Sequence, residues 1–152
     1  MHTCLDTSGI TFRPEDELLL ARFDRLMAAT DLIMLDLKQI IPERHRALTG
    51  QENANILAFA RYAAAKDKKL WIRHVVVPGW TDDEESLTAL GRFMAELKSV
   101  KALDVLPYHT LGVHKYQELG LDYPLKDVQP LEQKDAEWAR SVILQAFREN
   151  RK

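Results

Sequence analysis

Four short apolar runs, each followed by a longer segment with helical spacing, constrain the fold of this chain more than any other feature. The runs cover residues 2–6, 32–37, 70–77 and 103–106, and they are rich in β-branched or aromatic side chains. Runs of this kind are typical of strands, whereas apolar residues three and four positions apart are typical of helices. The repetition of strand then helix predicts an α/β fold with parallel strands and right-handed crossovers.

The segments between the runs predict the helices. Pro14 and the acidic residues after it favour the start of a helix, because proline suits the first turn and acidic groups suit the N-terminal dipole. Thr81 is predicted to cap a later helix that ends at residue 98, with Glu84 completing a capping box. The other predicted helices cover residues 14–29, 53–66 and 131–150, and residues 116–130 are predicted to form a loop.

The length and charge of the chain limit its class. A length of 152 residues suits one domain, which we expect to cover residues 1–152. A full eight-stranded α/β barrel typically needs about 250 residues, so this chain is too short for one. The net charge of −2, with acidic and basic residues interleaved, offers no basic stripe for nucleic acid. Without a bilayer-spanning run or a signal peptide, we expect no membrane partner and a cytoplasmic location.

Cys4 is the only cysteine in the sequence. With a single cysteine, the chain cannot form an internal disulfide. It also cannot bind an iron–sulfur cluster or a zinc ion through thiolates of its own alone. The apolar neighbours of Cys4 predict a small buried side chain near a strand.

Ionisable residues recur where the predicted strands end. Asp6 ends the first strand, Asp36 and Lys38 lie on one face of the second, Arg73 lies in the third, and His109 follows the fourth. In parallel α/β folds, ligands bind at the C-terminal ends of the strands. The repetition over all the strands predicts a binding site at this end of the sheet.

Each of these residues also has a structural interpretation. Asp36 and Lys38 are consistent with an ion pair at the rim, and Asp6 with acceptance of backbone N–H bonds in the following turn. Arg73 and His109, taken singly, are as consistent with packing or solvation as with a ligand contact. The residues alone leave these alternatives open.

The stretch "LDTSG" is close to the Asp-Thr-Gly motif of aspartic proteases. That motif requires glycine directly after Asp-Thr, whereas Ser8 intervenes here. It also requires a second catalytic aspartate in an all-β setting, which an alternating strand–helix pattern does not provide. The protease interpretation is therefore disfavoured.

Four stretches of the sequence are informative when taken together, and they are "HTCLDTSG", "TDLIMLDLK", "LWIRHVVVPGWTDD" and "LPYHTLGVHKY". In this order they resemble the pyruvate formate-lyase activating enzymes of the radical S-adenosylmethionine superfamily. The resemblance covers nearly the whole chain, and the combination of "MLDLK", "VVVPG" and "LPYH" is specific. It implies a partial TIM-like barrel of about four βα units, the last four of the six in a radical S-adenosylmethionine barrel.

Two segments of the family pattern are absent from this sequence. One is the C-x3-C-x2-C motif that binds a [4Fe-4S] cluster, and the other is a glycine-rich segment after the family's second strand. Both are expected to precede Met1. The chain thus resembles the C-terminal part of such an enzyme and has no ligands for the cluster.

The resemblance implies roles for the residues at the strand ends. Asp36, Lys38 and His109 match positions that contact S-adenosylmethionine, since a carboxylate beside an ammonium suits the methionine end and the ribose hydroxyls. Arg73 matches a position that faces the glycyl loop of the protein substrate.

The resemblance also implies a monovalent cation beside the cofactor. Its ligands match Asp6, Thr7, Met34 and Asp36. A cation there would screen the carboxylate of Asp36 from that of the cofactor.

The implied activity is that of a radical S-adenosylmethionine oxidoreductase. In the complete family enzymes, S-adenosylmethionine and the [4Fe-4S] cluster generate a glycyl radical on pyruvate formate-lyase, the protein substrate. A non-catalytic module that binds S-adenosylmethionine or docks on a partner is the alternative. Because part of the barrel is absent, we also expect an open sheet edge and self-association through the first strand.

Overall fold

The computed structural model describes residues 1–151 and contains one parallel sheet of four strands. The strands are β1 (Cys4–Thr7), β2 (Leu32–Asp36), β3 (Lys69–Val76) and β4 (Val100–Pro107), and they lie side by side in chain order. Each neighbouring pair is parallel. This arrangement confirms the predicted α/β class and the predicted strands to within a few residues.

Helices connect the strands and follow the last one. They are α1 (Glu17–Ala28), α2 (Pro42–Thr49), α3 (Ala54–Ala65), α4 (Glu84–Glu96), α5 (Val113–Glu118) and α6 (Gln133–Asn150). Neither α2 nor α5 was predicted, and α5 extends into the segment predicted as a loop. Both are short, so tertiary contacts contribute more to their stability than intrinsic propensity does. Within residues 1–151, no helix combines the length and apolarity required to cross a bilayer.

The predicted cap of α4 is wrong. Asp83 is the N-cap residue, and its Oδ1 accepts the N–H of Ser86 at 2.9 Å. Thr81 is instead buried in the preceding turn, where its hydroxyl accepts from Val77 N and donates to Val75 O. Thr81 therefore satisfies buried backbone groups of the turn, and the carboxylate of Asp83 caps the helix.

The two faces of the sheet differ in how they are covered. Ile33, Leu35 and Leu37 are buried against the helices, whereas Met34 and Asp36 lie on the opposite face and are only partly buried. This alternation confirms the predicted assignment of the two faces of β2, because successive side chains in a strand point in opposite directions.

Cys4 is exposed, contrary to the prediction of a buried side chain. It lies on edge strand β1, in register with Leu32, on the same face as Asp6 and Met34. The helices within residues 1–151 leave this face uncovered, as the exposure of Cys4 and Asp6 shows, and β1 pairs with β2 alone among the described strands. The apolar residues next to Cys4 in the sequence therefore did not lead to burial of its side chain.

The turn after β1 depends on Gly9. Its φ is +73°, and a Cβ atom there would lie 2.5 Å from Cδ1 of the buried Phe59. Both features require glycine. The Gly9 N–H donates to Oγ1 of Thr7 at 3.0 Å, which holds the end of β1 against the core.

Candidate functional site

Arg73 lies at the centre of the ionisable residues predicted from the sequence. Its Nε donates to Oδ1 of Asp36 at 2.5 Å, and its terminal nitrogens contact the two carboxylate oxygens of Asp6 at 2.8 and 3.1 Å. The guanidinium also lies 3.1 Å from Sδ of Met34. Parallel pairing explains the cluster, because it sets Asp6 beside Met34 and Asp36 beside Arg73 on one face.

Lys38 follows β2 and extends the charge cluster. Its Nζ lies 3.5 Å from Oδ2 of Asp36, so this carboxylate interacts with Arg73 and Lys38 at once. The side chain of Lys38 is 48% exposed, whereas those of Asp36 and Arg73 are 21% and 24% exposed. Hydrogen bonds that Arg73 donates to Asp36 and then to Asp6 raise the pKa of the guanidinium. The arginine is therefore a permanent cation, and Lys38 presents the more accessible positive charge.

Asp6 does not accept the N–H groups of the turn that follows it, which was the structural alternative from the sequence. Thr7 accepts from Gly9 through its side chain, and Asp6 interacts with Arg73.

His109 lies after β4, at the same end of the sheet. It is exposed, and its Nδ1 accepts from Leu111 N at 3.4 Å. In the described chain, no hydrogen bond joins His109 to the charge cluster. The structure thus brings together Asp6, Met34, Asp36, Lys38 and Arg73, and leaves His109 on the rim.

Two cavities adjoin Lys38. One has a volume of about 630 Å³, and its lining includes Lys38, Val75 and the three tyrosines Tyr108, Tyr116 and Tyr123. The other measures about 180 Å³ and is lined in part by Asp36, Lys38 and His45. The larger volume is in the range of small-molecule sites.

The phenol groups in the larger cavity form part of its wall. Tyr108 and Tyr123 share a hydrogen bond of 2.9 Å between their hydroxyls. Burial, together with this bond, raises the pKa of Tyr123 to about 12. Tyr123 is therefore neutral, and both hydroxyls can take part in further hydrogen bonds with a ligand.

His45 and His74 were not among the site residues predicted from the sequence, and both are buried. The sequence did contain a signal for His74. It lies two residues from both Ile72 and Val76 in β3, so it points to the same buried face of the sheet. A histidine at such a position needs hydrogen-bond partners. No equivalent signal existed for His45, because its helix α2 was not predicted.

Across residues 1–151, no three or more His, Cys, Asp or Glu side chains are grouped so as to hold a metal ion. The acidic residues of the site are instead paired with Arg73 and Lys38.

Sequence comparison finds relatives among curated proteins. A pyruvate formate-lyase-activating enzyme of Streptococcus mutans is 48% identical over 130 residues, which is 86% of this chain and 49% of that protein. The enzyme of the same name from Listeria monocytogenes is 46% identical over 143 residues, or 94% of this chain and 57% of the relative. Escherichia coli pyruvate formate-lyase 1-activating enzyme is 43% identical over 145 residues, with shares of 95% and 57%. No protein-family model matches the sequence.

Solved structures support the fold. A domain of pyruvate-formate lyase-activating enzyme from Bacteroides vulgatus superposes with a TM-score of 0.72 at 20% identity, covering 96% of this chain and 77% of that one. A radical SAM methyltransferase from Sphaerobacter thermophilus gives a TM-score of 0.63 at 14% identity, covering 94% and 37%. At these identities the likeness concerns the fold, which is that of a partial TIM-like barrel. The sequence relatives are more informative: over most of its length this chain is similar to pyruvate formate-lyase-activating enzymes, and it spans about half the length of the curated relatives it matches.

Proposed function

We propose that this chain supplies the S-adenosylmethionine-positioning part of a pyruvate formate-lyase activating enzyme. One observation carries the proposal: Asp36 and Lys38 lie together at the C-terminal end of β2, and Lys38 lines two cavities there. Ligands of parallel α/β folds bind at this end of the strands. The sequence relatives add the class of enzyme.

The donor set suits a zwitterionic cofactor. The ammonium of Lys38 has three N–H donors, and a single 3.5 Å contact to Asp36 leaves donors for the carboxylate of a methionine group. Asp36 offers acceptor oxygens to ribose hydroxyls, although Arg73 already occupies Oδ1. His109 is exposed at the rim, where its ring can stack on or hydrogen-bond to a bound nucleoside.

The [4Fe-4S] cluster does not fit the residues of this chain. In the complete family enzymes, the reduced cluster and S-adenosylmethionine supply the radical chemistry. Cluster ligation uses several cysteine thiolates, and the sequence contains Cys4 alone. The proposed part played by this chain is therefore to bind and orient the cofactor, with cluster ligands contributed by residues outside the sequence.

Arg73 is proposed to face the protein substrate, a glycyl radical enzyme of the pyruvate formate-lyase type. Its side chain lies on the uncovered face of the sheet and is 24% exposed. Asp6 and Asp36 fix the guanidinium from two sides. An arginine held in this way can present its remaining donor capacity to peptide carbonyls of a bound loop.

A monovalent cation beside the cofactor carboxylate is a further part of the proposal. Its ligands would be Asp6, Thr7, Met34 and Asp36. The guanidinium of Arg73 bonds to three of these side chains, which indicates that the location favours positive charge. A metal cation and Arg73 would thus compete for the same carboxylates.

We also infer that residues 1–152 form one domain that acts in the cytoplasm. One core cluster supports the single domain, since its members extend from Phe12, before α1, to Ile143 in α6. The cytoplasmic location follows from the proposed protein substrate, with which the chain would have to share a compartment.

Calorimetric titration with S-adenosylmethionine tests the proposal. We expect the parent chain to bind, and Lys38→Met and Asp36→Asn to weaken binding by about tenfold or more, as expected for loss of a charge-assisted contact. Lys98→Met is the matched control, because Lys98 is exposed and precedes β4 at the opposite end of the sheet. Equal binding by all variants would contradict the assigned site, and no binding by any of them would leave only a structural or docking role.

A further inference from the structure

The segment that follows β2 collects most of the buried polar groups of the molecule. Among residues 1–151, eight polar or charged residues are buried. Five of them belong to one hydrogen-bond network around residues 37–41, and these are Gln39, His45, Asn53, His74 and Ser86. A buried polar group is unfavourable unless it is hydrogen-bonded, so such a concentration restricts the local backbone strongly.

Two of these residues bind the peptide carbonyls on either side of Lys38. Nδ1 of His74 lies 2.7 Å from the carbonyl oxygen of Leu37, and Nδ1 of His45 lies 3.1 Å from that of Gln39. A carbonyl oxygen only accepts, so each Nδ1 must carry the proton and donate. The lysine is thus flanked by two carbonyls, each held by a buried imidazole.

Asn53 reinforces the same turn. Its Nδ2 donates to the carbonyl oxygens of Gln39 at 3.2 Å and Ile40 at 2.9 Å. The backbone N–H of Leu37, at the start of the segment, donates to the carbonyl of Arg73 at 3.0 Å. The segment has left the regular strand ladder, and these bonds satisfy the groups that the ladder no longer serves.

The side chain of Gln39 ties the segment to the loop after β3 and to α4. Its Nε2 donates to Trp80 O at 2.8 Å and to Ser86 Oγ at 3.1 Å, while its Oε1 accepts from Ile41 N at 3.0 Å. The side-chain amide of Gln39 therefore makes all three of these hydrogen bonds inside the protein. The backbone on both sides of Lys38 is consequently fixed relative to three other elements of the fold.

We propose that His45 and His74 are positioning residues for Lys38. They hold the backbone that carries the lysine, which lines both cavities, so that its ammonium is directed before a ligand binds. Such preorganisation lowers the entropy lost on binding and fixes the geometry of the contact. The proposal rests on the S-adenosylmethionine site described above and adds the groups that orient its lysine.

The electrostatics agree with this role. Burial lowers the pKa of both histidines, and the positive charge of Lys38 acts in the same direction. Both rings are therefore neutral near pH 7, and each is a donor at Nδ1 without placing a second cation beside the lysine.

The test compares substitutions that remove the donor with substitutions that keep one. His74→Phe and His45→Phe remove the N–H, whereas His74→Asn and His45→Asn retain an amide donor near the place of Nδ1. Thr30→Val is the control for a general loss of stability, because Thr30 is buried at the opposite end of β2 and its hydroxyl bonds Leu26 O at 2.8 Å.

Two measurements are made on each full-length variant: amide hydrogen exchange of residues 37–41, and the dissociation constant for S-adenosylmethionine. We expect the phenylalanine variants to exchange at least tenfold faster in this segment and to bind about tenfold more weakly. The asparagine variants should recover most of both losses, and Thr30→Val should show neither.

Each outcome bears on a separate claim. Unchanged exchange at residues 37–41 in the phenylalanine variants would overturn the positioning role, as would equal losses in Thr30→Val. If the parent chain does not bind S-adenosylmethionine, the proposed function fails, and hydrogen exchange alone then decides whether the histidines fix the lysine-bearing segment.

Discussion

Arg73 and Asp36 face each other across the β2–β3 pair, with Nε of the arginine 2.5 Å from Oδ1 of the aspartate. The second carboxylate oxygen of Asp36 lies toward Lys38, and the arginine reaches on to Asp6 on β1. Charges from three adjacent strands and the segment after β2 are therefore coupled on the uncovered face of the sheet. Removal of any one of them changes the environment of the others.

Replacement of Arg73 by alanine should lower the free energy of unfolding by about 1–2 kcal/mol, because two neighbouring carboxylates lose their common partner. Urea denaturation measures the change. Arg46→Ala provides a control, since its pair with Glu52 is exposed at 73% and 58% and should contribute about 0.5 kcal/mol or less. Equal losses in the two variants would show that the Arg73 cluster is an ordinary surface ion pair.

The same variant tests the proposed cation site. In Arg73→Ala, Na⁺ or K⁺ should raise the melting temperature more than an equal concentration of choline does, because the cation replaces the guanidinium between Asp6 and Asp36. The parent chain should show a smaller difference between these salts, since Arg73 competes. An identical response of Arg73→Ala to choline and to the metal cations would contradict the cation site.

Stability should fall as the pH drops below about 6.5, the ordinary pKa of histidine. His45 and His74 have lowered pKa values in the folded chain, so the unfolded chain binds more protons in this range and is favoured by acid. Their neighbours are Lys38, which opposes protonation of both rings, and Glu52, which favours that of His45. Urea denaturation between about pH 7.5 and about pH 5 measures the slope.

The variant that carries both His45→Asn and His74→Asn controls this experiment. It should show a flatter dependence on pH over the same interval, because asparagine does not titrate. A slope equal to that of the parent chain would assign the acid sensitivity to other groups.

Gly91→Ala should destabilise the chain by about 1–3 kcal/mol, because the new methyl group would overlap the carbonyl oxygen of Ile143 and lie 2.8 Å from Cβ of Ala146. Helices α4 and α6 pack at this point. Gly112→Ala is the control, since nothing lies within 4 Å of an added Cβ there. Thermal unfolding of both should show one transition if residues 1–152 form one domain, and a second transition would contradict that inference.

Edge strand β1 should mediate self-association, because no strand within residues 1–151 pairs with its outer side. Light scattering over a range of concentrations, with a reductant to exclude disulfides of the exposed Cys4, measures the mass. Cys4→Lys should reduce association, since an edge lysine opposes strand pairing. Leu18→Lys changes an exposed residue of α1 and should have no effect. A parent chain that stays monomeric would contradict this expectation.

Much of the site could be predicted from local pattern. Alternation in β2 placed Asp36 opposite the buried Leu35, and the same reasoning applied to each strand end located the charges at one end of the sheet. Parallel order followed from the strand–helix repeat. What no local pattern contained was the pairing of Arg73 with Asp6, which are 67 residues apart.

The sequence by itself determined the α/β class, the positions of the strands and the identity of the charged residues at their ends, because the period of a strand and the chemistry of its side chains are local properties. Only the tertiary structure decided which charges pair, that Cys4 is exposed and that His45 and His74 hold the carbonyls beside Lys38. These outcomes depend on strand register, on which face the helices cover and on contacts between residues far apart in the chain, and none of these is a local property.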